Sequence, residues 1–334
     1  MIYRNFKDIK LSCLGMGNMR LPLTDPDDAH SDIDYEKAHE IIDYAYEHGV
    51  NYFDTAYVYN GGKSEKCLGA CMKKHDRDSF YIATKFNIGA NPDYKAVFAE
   101  QLERLQTDHI DFYLMHCLMD SNIDKYLESG AIEYFQELKK KGQIRYLGFS
   151  SHAGVETLKK FADAADWDFA QLQINYYDWL VSSTKEEYRV LEERNIPVMV
   201  MEPVRGGRLA ELLGGADDIL KAAHPEWSTV SWAFRFVQTL PQVKVILSGM
   251  STIDQVRENV KLFEEAAPLS AADTDTVMKA AEVMSRYVAV PCTGCRYCVD
   301  DCPVKINIPE FMKLYNKYRI DGPYSLFDGM KIES

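Results

Sequence analysis

Apolar and polar residues follow two periods along this chain. Short, nearly continuous apolar runs occur at Asn51–Thr55, Phe80–Lys85, Asp111–His116, Ile144–Ser150, Phe169–Asn175, Pro197–Met201 and Val243–Ser248, after a first near Leu11–Gly15. Such runs predict strands covered on both faces, as in a parallel sheet. Longer segments with apolar residues three and four apart follow them: Tyr35–His48, Lys63–Lys74, Pro92–Leu105, Tyr126–Lys141, Val155–Ala165, Lys185–Arg194, Trp227–Gln238 and Ile253–Ala266. These predict helices, punctuated by Gly49 and Gly142 at ends and Pro92 at a start. Eight strand–helix units fit a (β/α)8 barrel better than an open doubly wound sheet. Gly15-Met16-Gly17 lacks the third glycine and the helix of the usual dinucleotide fingerprint.

The pattern changes after residue 267. Residues 271–287 predict a helix, a cysteine-rich loop follows, and Ile308–Tyr318 predicts another helix. The expected organisation is α/β: a (β/α)8 barrel over 1–267 and a helical, ferredoxin-like iron–sulfur extension over 268–334.

Charge and composition narrow the function classes. The 38 Lys and Arg against 51 Asp and Glu leave a net charge of −13, which opposes non-specific nucleic-acid binding. No apolar run approaches the roughly 20 residues of a membrane span. Residues Met1–Phe6 form no apolar signal segment, so a cytoplasmic protein is expected.

Of eight cysteines, four fall within eleven residues: Cys292, Cys295, Cys298 and Cys302, with Pro303 next. This Cys-x2-Cys-x2-Cys-x3-Cys-Pro run is the bacterial ferredoxin spacing for a [4Fe–4S] cluster. A zinc knuckle or redox disulfides compete, but zinc sites usually pair two knuckles across a longer gap. The fourth ligand is either Cys302, which is favoured, or a cysteine outside the run. Cys67 and Cys71 share a helix face and read as small buried hydrophobes, as does Cys13.

Barrel chemistry belongs at the C-terminal ends of strands. Asp54, Lys85 and His116 end three consecutive predicted strands, and Tyr59 lies in the loop after the first of these. Singly, they read as a turn cap, a surface lysine, a core histidine and a surface tyrosine. Together they form a coherent set. An ammonium favours a neighbouring phenolate, so Lys85 would make Tyr59 a better acid. Asp54 would hold Lys85, and a neutral His116 would orient a substrate oxygen. Such a set protonates an oxygen as negative charge develops on it, which suits carbonyl reduction by an external hydride donor.

The stretch Phe53-Asp54-Thr55-Ala56-Tyr57-Val58-Tyr59, with Thr84-Lys85 and Met115-His116, resembles the aldo-keto reductase family. Gly148-Phe149-Ser150-Ser151, Gln171 to Tyr176, and Val243 to Asn259 are similar to its cofactor-binding segments. The resemblance implies a (β/α)8 barrel that uses NADPH or NADH to reduce a small carbonyl substrate. It implies Tyr59 as general acid, tuned by Lys85 and Asp54, with His116 orienting the carbonyl. Ser150 and Gln173 would hold the nicotinamide carboxamide, with Ser151 a weaker candidate. Met201 stands where many members stack a tyrosine on the nicotinamide. Gly249 and Gln255 stand where many hold the 2′-phosphate with cations, and Glu258 and Asn259 complete the adenosine segment. Val204 to Arg208 would line the pyrophosphate. The cysteine run resembles a ferredoxin-like extension of one branch of the family.

Two other roles compete with a reductase carrying a cluster. The barrel is a docking platform for a flavin or a redox partner protein in an iron–sulfur electron-transfer module, or the cluster only fastens the tail.

Overall fold

The computed structural model describes residues 1–26, 28, 31–265, 267–292, 297–300, 302–304 and 306–321. Strands β1 (Tyr3–Phe6) and β2 (Ile9–Ser12) form an antiparallel hairpin. Then come β3 (Leu14–Gly17), β4 (Tyr52–Asp54), β5 (Tyr81–Phe86), β6 (Ile110–Leu118), β7 (Ile144–Ser151), β8 (Phe169–Gln173), β9 (Val198–Met201) and β10 (Val243–Ser248). The helices between and after them are α1 (Tyr35–Glu47), α2 (Lys63–Met72), α3 (Tyr94–Leu105), α4 (Ile123–Glu128), α5 (Ala131–Lys140), α6 (Val155–Ala162) and α7 (Tyr176–Val181). They continue with α8 (Thr184–Glu193), α9 (Ala216–Ala223), α10 (Thr229–Gln238), α11 (Ile253–Glu265), α12 (Ala271–Ser285), α13 (Tyr297–Asp300) and α14 (Ile308–Asp321). No helix among the described residues is long and apolar enough to cross a membrane.

Strands β3 to β10 pair in parallel and close in the order β10-β3-β4-β5-β6-β7-β8-β9, the expected (β/α)8 barrel. The first barrel strand starts later than the sequence predicts, at Leu14, because Ile9–Ser12 pairs with Tyr3–Phe6 instead. The helix expected over Tyr126–Lys141 divides into α4 and α5 at Ser129-Gly130. The apolar pattern does not predict α7 or α9.

Two compact units are present. The first comprises Met1–Gln173, Ser183–Met201 and Leu240–Ala266 and holds the whole barrel. Its interior is a cluster of Tyr52, Ala83, Phe112, Leu114, Tyr146, Phe169, Met199, Val245 and Leu247, with Phe6 and Leu11 of the hairpin packed in. The Phe6 ring lies 5.4 Å from that of Phe112 and 5.0 Å from that of Tyr146. Burying such a ring fully stabilises by roughly 1.5–3 kcal/mol. Strand side chains alternate faces with period two. The inward positions after this cluster are therefore Asp54 on β4, Lys85 on β5, His116 on β6, Ser150 on β7, Gln173 on β8 and Met201 on β9.

The second unit comprises Ile174–Ser182, Glu202–Thr239 and the described part of Ala267–Ser334. Helices α7, α9, α10 and α12 pack around buried Tyr176, Trp232 and Phe236. Ser270 and Asp273 form a reciprocal cap on α12. Asn316 of α14 is buried. Its Oδ1 accepts the Ala289 and Val290 N–H groups at 2.9 Å, and its Nδ2 donates to the Val290 carbonyl at 2.8 Å.

Candidate active site

Asp54 and Lys85 are buried partners. Lys85 Nζ donates to Asp54 Oδ1 at 2.5 Å and to the Thr55 carbonyl at 2.6 Å. Burial pulls the Lys85 ammonium below its usual pKa and lifts the Asp54 carboxyl above its own, while their mutual attraction opposes both shifts. Asp54 Oδ2 is buried with no hydrogen-bond partner among the described residues.

Tyr59 opens a tight turn, Tyr59–Gly62, and is 8% exposed. Lys85 Nζ lies 5.0 Å from the centre of its ring. The His116 ring stands edge-on to it, with centroids 5.7 Å apart. The four side chains picked from the sequence thus converge. Burial, and then the Lys85 charge, hold the His116 pKa well below that of a free imidazole, so the ring is neutral at pH 7. Its Nδ1 is buried with no hydrogen-bond partner among the described residues.

Two left-handed residues frame this group. Asn60, after Tyr59, has φ 49°, and Cys117, after His116, has φ 57°. That conformation costs a non-glycine residue roughly 1–2 kcal/mol and collects at functional sites. Cys117 marks a register shift between β6 and β7, and the surroundings fix it. Its N–H donates to Ser150 Oγ at 2.8 Å, and Asn122 Nδ2 donates to its carbonyl at 2.9 Å. Tyr126 OH donates to the His116 carbonyl at 2.5 Å.

The residues picked for the cofactor are placed as follows. Ser150 is inward and buried, and Gln173 pairs in register with Met201. Ser151 takes the opposite face of β7, where its Oγ accepts the Ala153 N–H at 3.1 Å, so it does not join them. Gly249 follows β10. Gln255 Oε1 accepts the Ser251 N–H at 2.8 Å, and buried Asn259 donates to Ser248 Oγ at 3.0 Å. Glu258 is exposed.

In the second unit Cys292 and Cys302 are half-buried and Cys298 is exposed; Cys295 lies outside the described residues. Cys302 Sγ accepts the Ile306 N–H at 3.3 Å. Among the described residues no three His, Cys, Asp or Glu side chains converge as a metal site. Arg205, read from the sequence as part of a loop lining the pyrophosphate, is buried. Its Nε donates to Asp178 Oδ1 at 2.9 Å, and its Nη atoms donate to the carbonyls of Pro291 and Cys292 at 2.9 and 3.4 Å.

Sequence reasoning passed over Glu65, Gln101 and Arg104, which are networked behind Lys85. A charged residue on an amphipathic helix reads as solvated, and Glu65 stands among Lys63, Ser64 and Lys66, so nothing local marks its burial.

The model of the Aldo/keto reductase family matches residues 13–282. The uncharacterized oxidoreductase YqkF of Bacillus subtilis is 28% identical over 288 residues, covering 76% of this chain and 88% of its own. The NADH-specific methylglyoxal reductase of Escherichia coli is 26% identical over 332 residues, covering 84% and 97%. Among solved structures, the holo form of aldo-keto reductase AKR11C1 from Bacillus halodurans superposes with a TM-score of 0.69 at 30% identity, over 85% of this chain and 97% of its own. The barrel and the extent of the family match lead to one conclusion: the chain belongs to the aldo/keto reductase family and is an NAD(P)H-dependent oxidoreductase.

Proposed function

We propose that the enzyme reduces a small aldehyde or ketone, with Tyr59 as general acid. The observation that carries this reading is the meeting of Tyr59, Lys85 and His116, with Lys85 Nζ 5.0 Å from the Tyr59 ring centre. The nicotinamide, when bound, supplies the hydride. Neutral His116 hydrogen-bonds the substrate oxygen and fixes its direction. The Tyr59 hydroxyl gives its proton to that oxygen. The Lys85 ammonium, held by Asp54 and the Thr55 carbonyl, favours the phenolate left behind. The orphaned Asp54 Oδ2 and His116 Nδ1, buried at the mouth of an otherwise apolar barrel, suit a polar ligand there.

Inward Ser150 and Gln173 supply the hydroxyl and amide groups that match a carboxamide, and Met201 offers a soft apolar contact beside Gln173. Ser151 serves at most indirectly. Gly249, Gln255, Glu258 and Asn259 are assigned to the adenosine phosphate, for either NADPH or NADH. Replacing Tyr59 by Phe should cut turnover about 10²–10⁴-fold while cofactor binding persists. Equal turnover of an aldehyde panel by both proteins would overturn the assignment.

The extension from residue 268 is assigned a [4Fe–4S] cluster on Cys292, Cys295, Cys298 and Cys302. Four thiols at ferredoxin spacing suit it, and the Ile306 N–H on Cys302 Sγ is a bond that stabilises a thiolate ligand. Such a cluster supplies one-electron chemistry, so it implies a redox partner protein. Iron and sulfide assays on protein purified without oxygen test it, and iron-free protein of full activity refutes it.

A further inference from the structure

We infer that Glu65 is a positioning residue for the reaction: with Gln101 and Arg104 it clamps the Tyr59 turn to the Lys85 strand and places a second carboxylate behind the Lys85 ammonium. This rests on the reading of Tyr59 as acid and Lys85 as its partner.

Glu65 lies in the first turn of α2 and is fully buried. Its Oε1 accepts Thr84 Oγ1 at 2.6 Å and Gln101 Nε2 at 2.8 Å, and its Oε2 accepts Arg104 Nη1 at 3.0 Å. From this centre two arms reach the site. Gln101 Nε2 also donates to the Lys85 carbonyl at 3.1 Å, and Tyr113 OH locks the same amide through Oε1 at 2.6 Å. Arg104 Nη1 also donates to the Tyr57 carbonyl, two residues before Tyr59, at 3.0 Å. The Tyr59 turn closes against that guanidinium at Gly62. There φ is +84°, and a Cβ would stand 2.5 Å from Arg104 Nη1, so no other residue lets the turn sit so close.

The arrangement is costly. Burying a carboxylate and a guanidinium carries a penalty that well-packed apolar residues would avoid. What the polar centre supplies is fixed geometry at two points at once, together with charge. Lys85 is faced by Asp54 from β4, by Tyr59 from its turn and by neutral His116 from β6; Glu65 of α2 sits across β5 at Thr84 and is faced by Arg104, which also pairs with Glu100. Burial disfavours the Lys85 ammonium, and Asp54, then Glu65, work against that loss.

The test follows reduction of 4-nitrobenzaldehyde with NADPH and with NADH across pH. In Glu65→Gln the alkaline limb of kcat/KM should move down by about one pH unit, and turnover above it should fall roughly tenfold, with the cofactor KM unchanged. Glu65→Asp, which keeps the charge but shortens the arm, should restore the limb. Gln101→Met keeps the charge and cuts one arm, and should lower kcat with the limb in place; it also serves if Glu65→Gln does not fold. A folded Glu65→Gln with an unmoved limb, or Gln101→Met with unchanged kcat, overturns the inference. Tyr59→Phe run in parallel separates the cases: if it stays active the acid assignment itself fails, whereas an inactive Tyr59→Phe beside an unmoved Glu65→Gln limb removes only Glu65.

Discussion

Asp54 and Lys85 form an ion pair 2.5 Å long inside the barrel, with side chains 4% and 0% exposed. Neither charge has water to fall back on. Lys85→Met should therefore lower unfolding free energy by about 3–5 kcal/mol in urea, because the Asp54 carboxylate is left buried alone. Adding Asp54→Asn removes the second charge and should recover much of that loss, although carbonyl reduction stays absent in both. A double variant no more stable than the single would show that the pair is not held by charge.

On the proposed assignment of the adenosine phosphate, cofactor choice turns on the start of α11. Gln255 is neutral and its Oε1 is committed to the Ser251 N–H. Nearby Arg257 turns to Asp254, 3.7 Å away, and lies over the Tyr44 ring at 5.6 Å. The stem of Arg20 packs beside Gly249, where a Cβ would meet its Cδ at 3.5 Å. The side chains at 249 and 255 thus bring no cation to a 2′-phosphate, and fluorescence titration should give NADH and NADPH dissociation constants within about tenfold. Gln255→Arg should tighten NADPH by roughly tenfold, about 1.4 kcal/mol, and leave NADH unmoved. Equal gains for both cofactors would place residue 255 away from the phosphate.

The strands, and the convergence of Asp54, Tyr59, Lys85 and His116, were legible because the barrel strands are largely apolar and three of them carry an ionisable residue at or near the C-terminal end. Period two then carries Asp54, Lys85 and His116 inward without further information. The β1–β2 hairpin was not legible: Tyr3–Ser12 mixes Arg4, Asn5, Lys7, Asp8 and Lys10 with few apolar residues, and its only deep anchors are Phe6 and Leu11. Cys117 was missed because a left-handed residue inside an apolar run leaves no mark in composition. Glu65 and Arg104 pair across 39 positions, and Arg205 reaches Pro291 across 86, so no local pattern records either.

Arg205 ties the chain just before the cysteine run to the segment after β9. Its planar fork spans one carboxylate and two carbonyls, with Tyr177 beneath it at 4.6 Å. Lysine carries the charge but not the fork. Arg205→Lys should therefore free the Pro291 and Cys292 carbonyls, raise the rate at which Cys292 reacts with a thiol reagent, and speed proteolysis between α12 and α13. Unchanged labelling and proteolysis would mean that Asn316, through Ala289 and Val290, suffices to hold this stretch.

His224 gives the second unit a pH dependence of defined sign. The ring closes α9 and bridges Asp273 Oδ1 at 3.0 Å and Glu226 Oε1 at 3.1 Å, stacked on Trp227 with centroids 3.9 Å apart. A neutral imidazole has one N–H and serves one carboxylate, whereas the protonated ring serves both. Burial works against the charge, but the bonds to Asp273 and Glu226 outweigh it and raise the His224 pKa. The unfolded chain titrates near pH 6.5, so the native state binds this proton more tightly. The stabilisation is complete below the unfolded value and disappears as pH rises through the native one. The carboxylates of Asp273 and Glu226 are held below their usual range and stay charged throughout this window. The difference in Tm between the wild type and His224→Gln should therefore be largest near about pH 5.5 and fade toward about pH 8.5. A difference that is flat across this range, or that grows with pH, would show that the neutral ring makes the contact and that its protonation adds nothing.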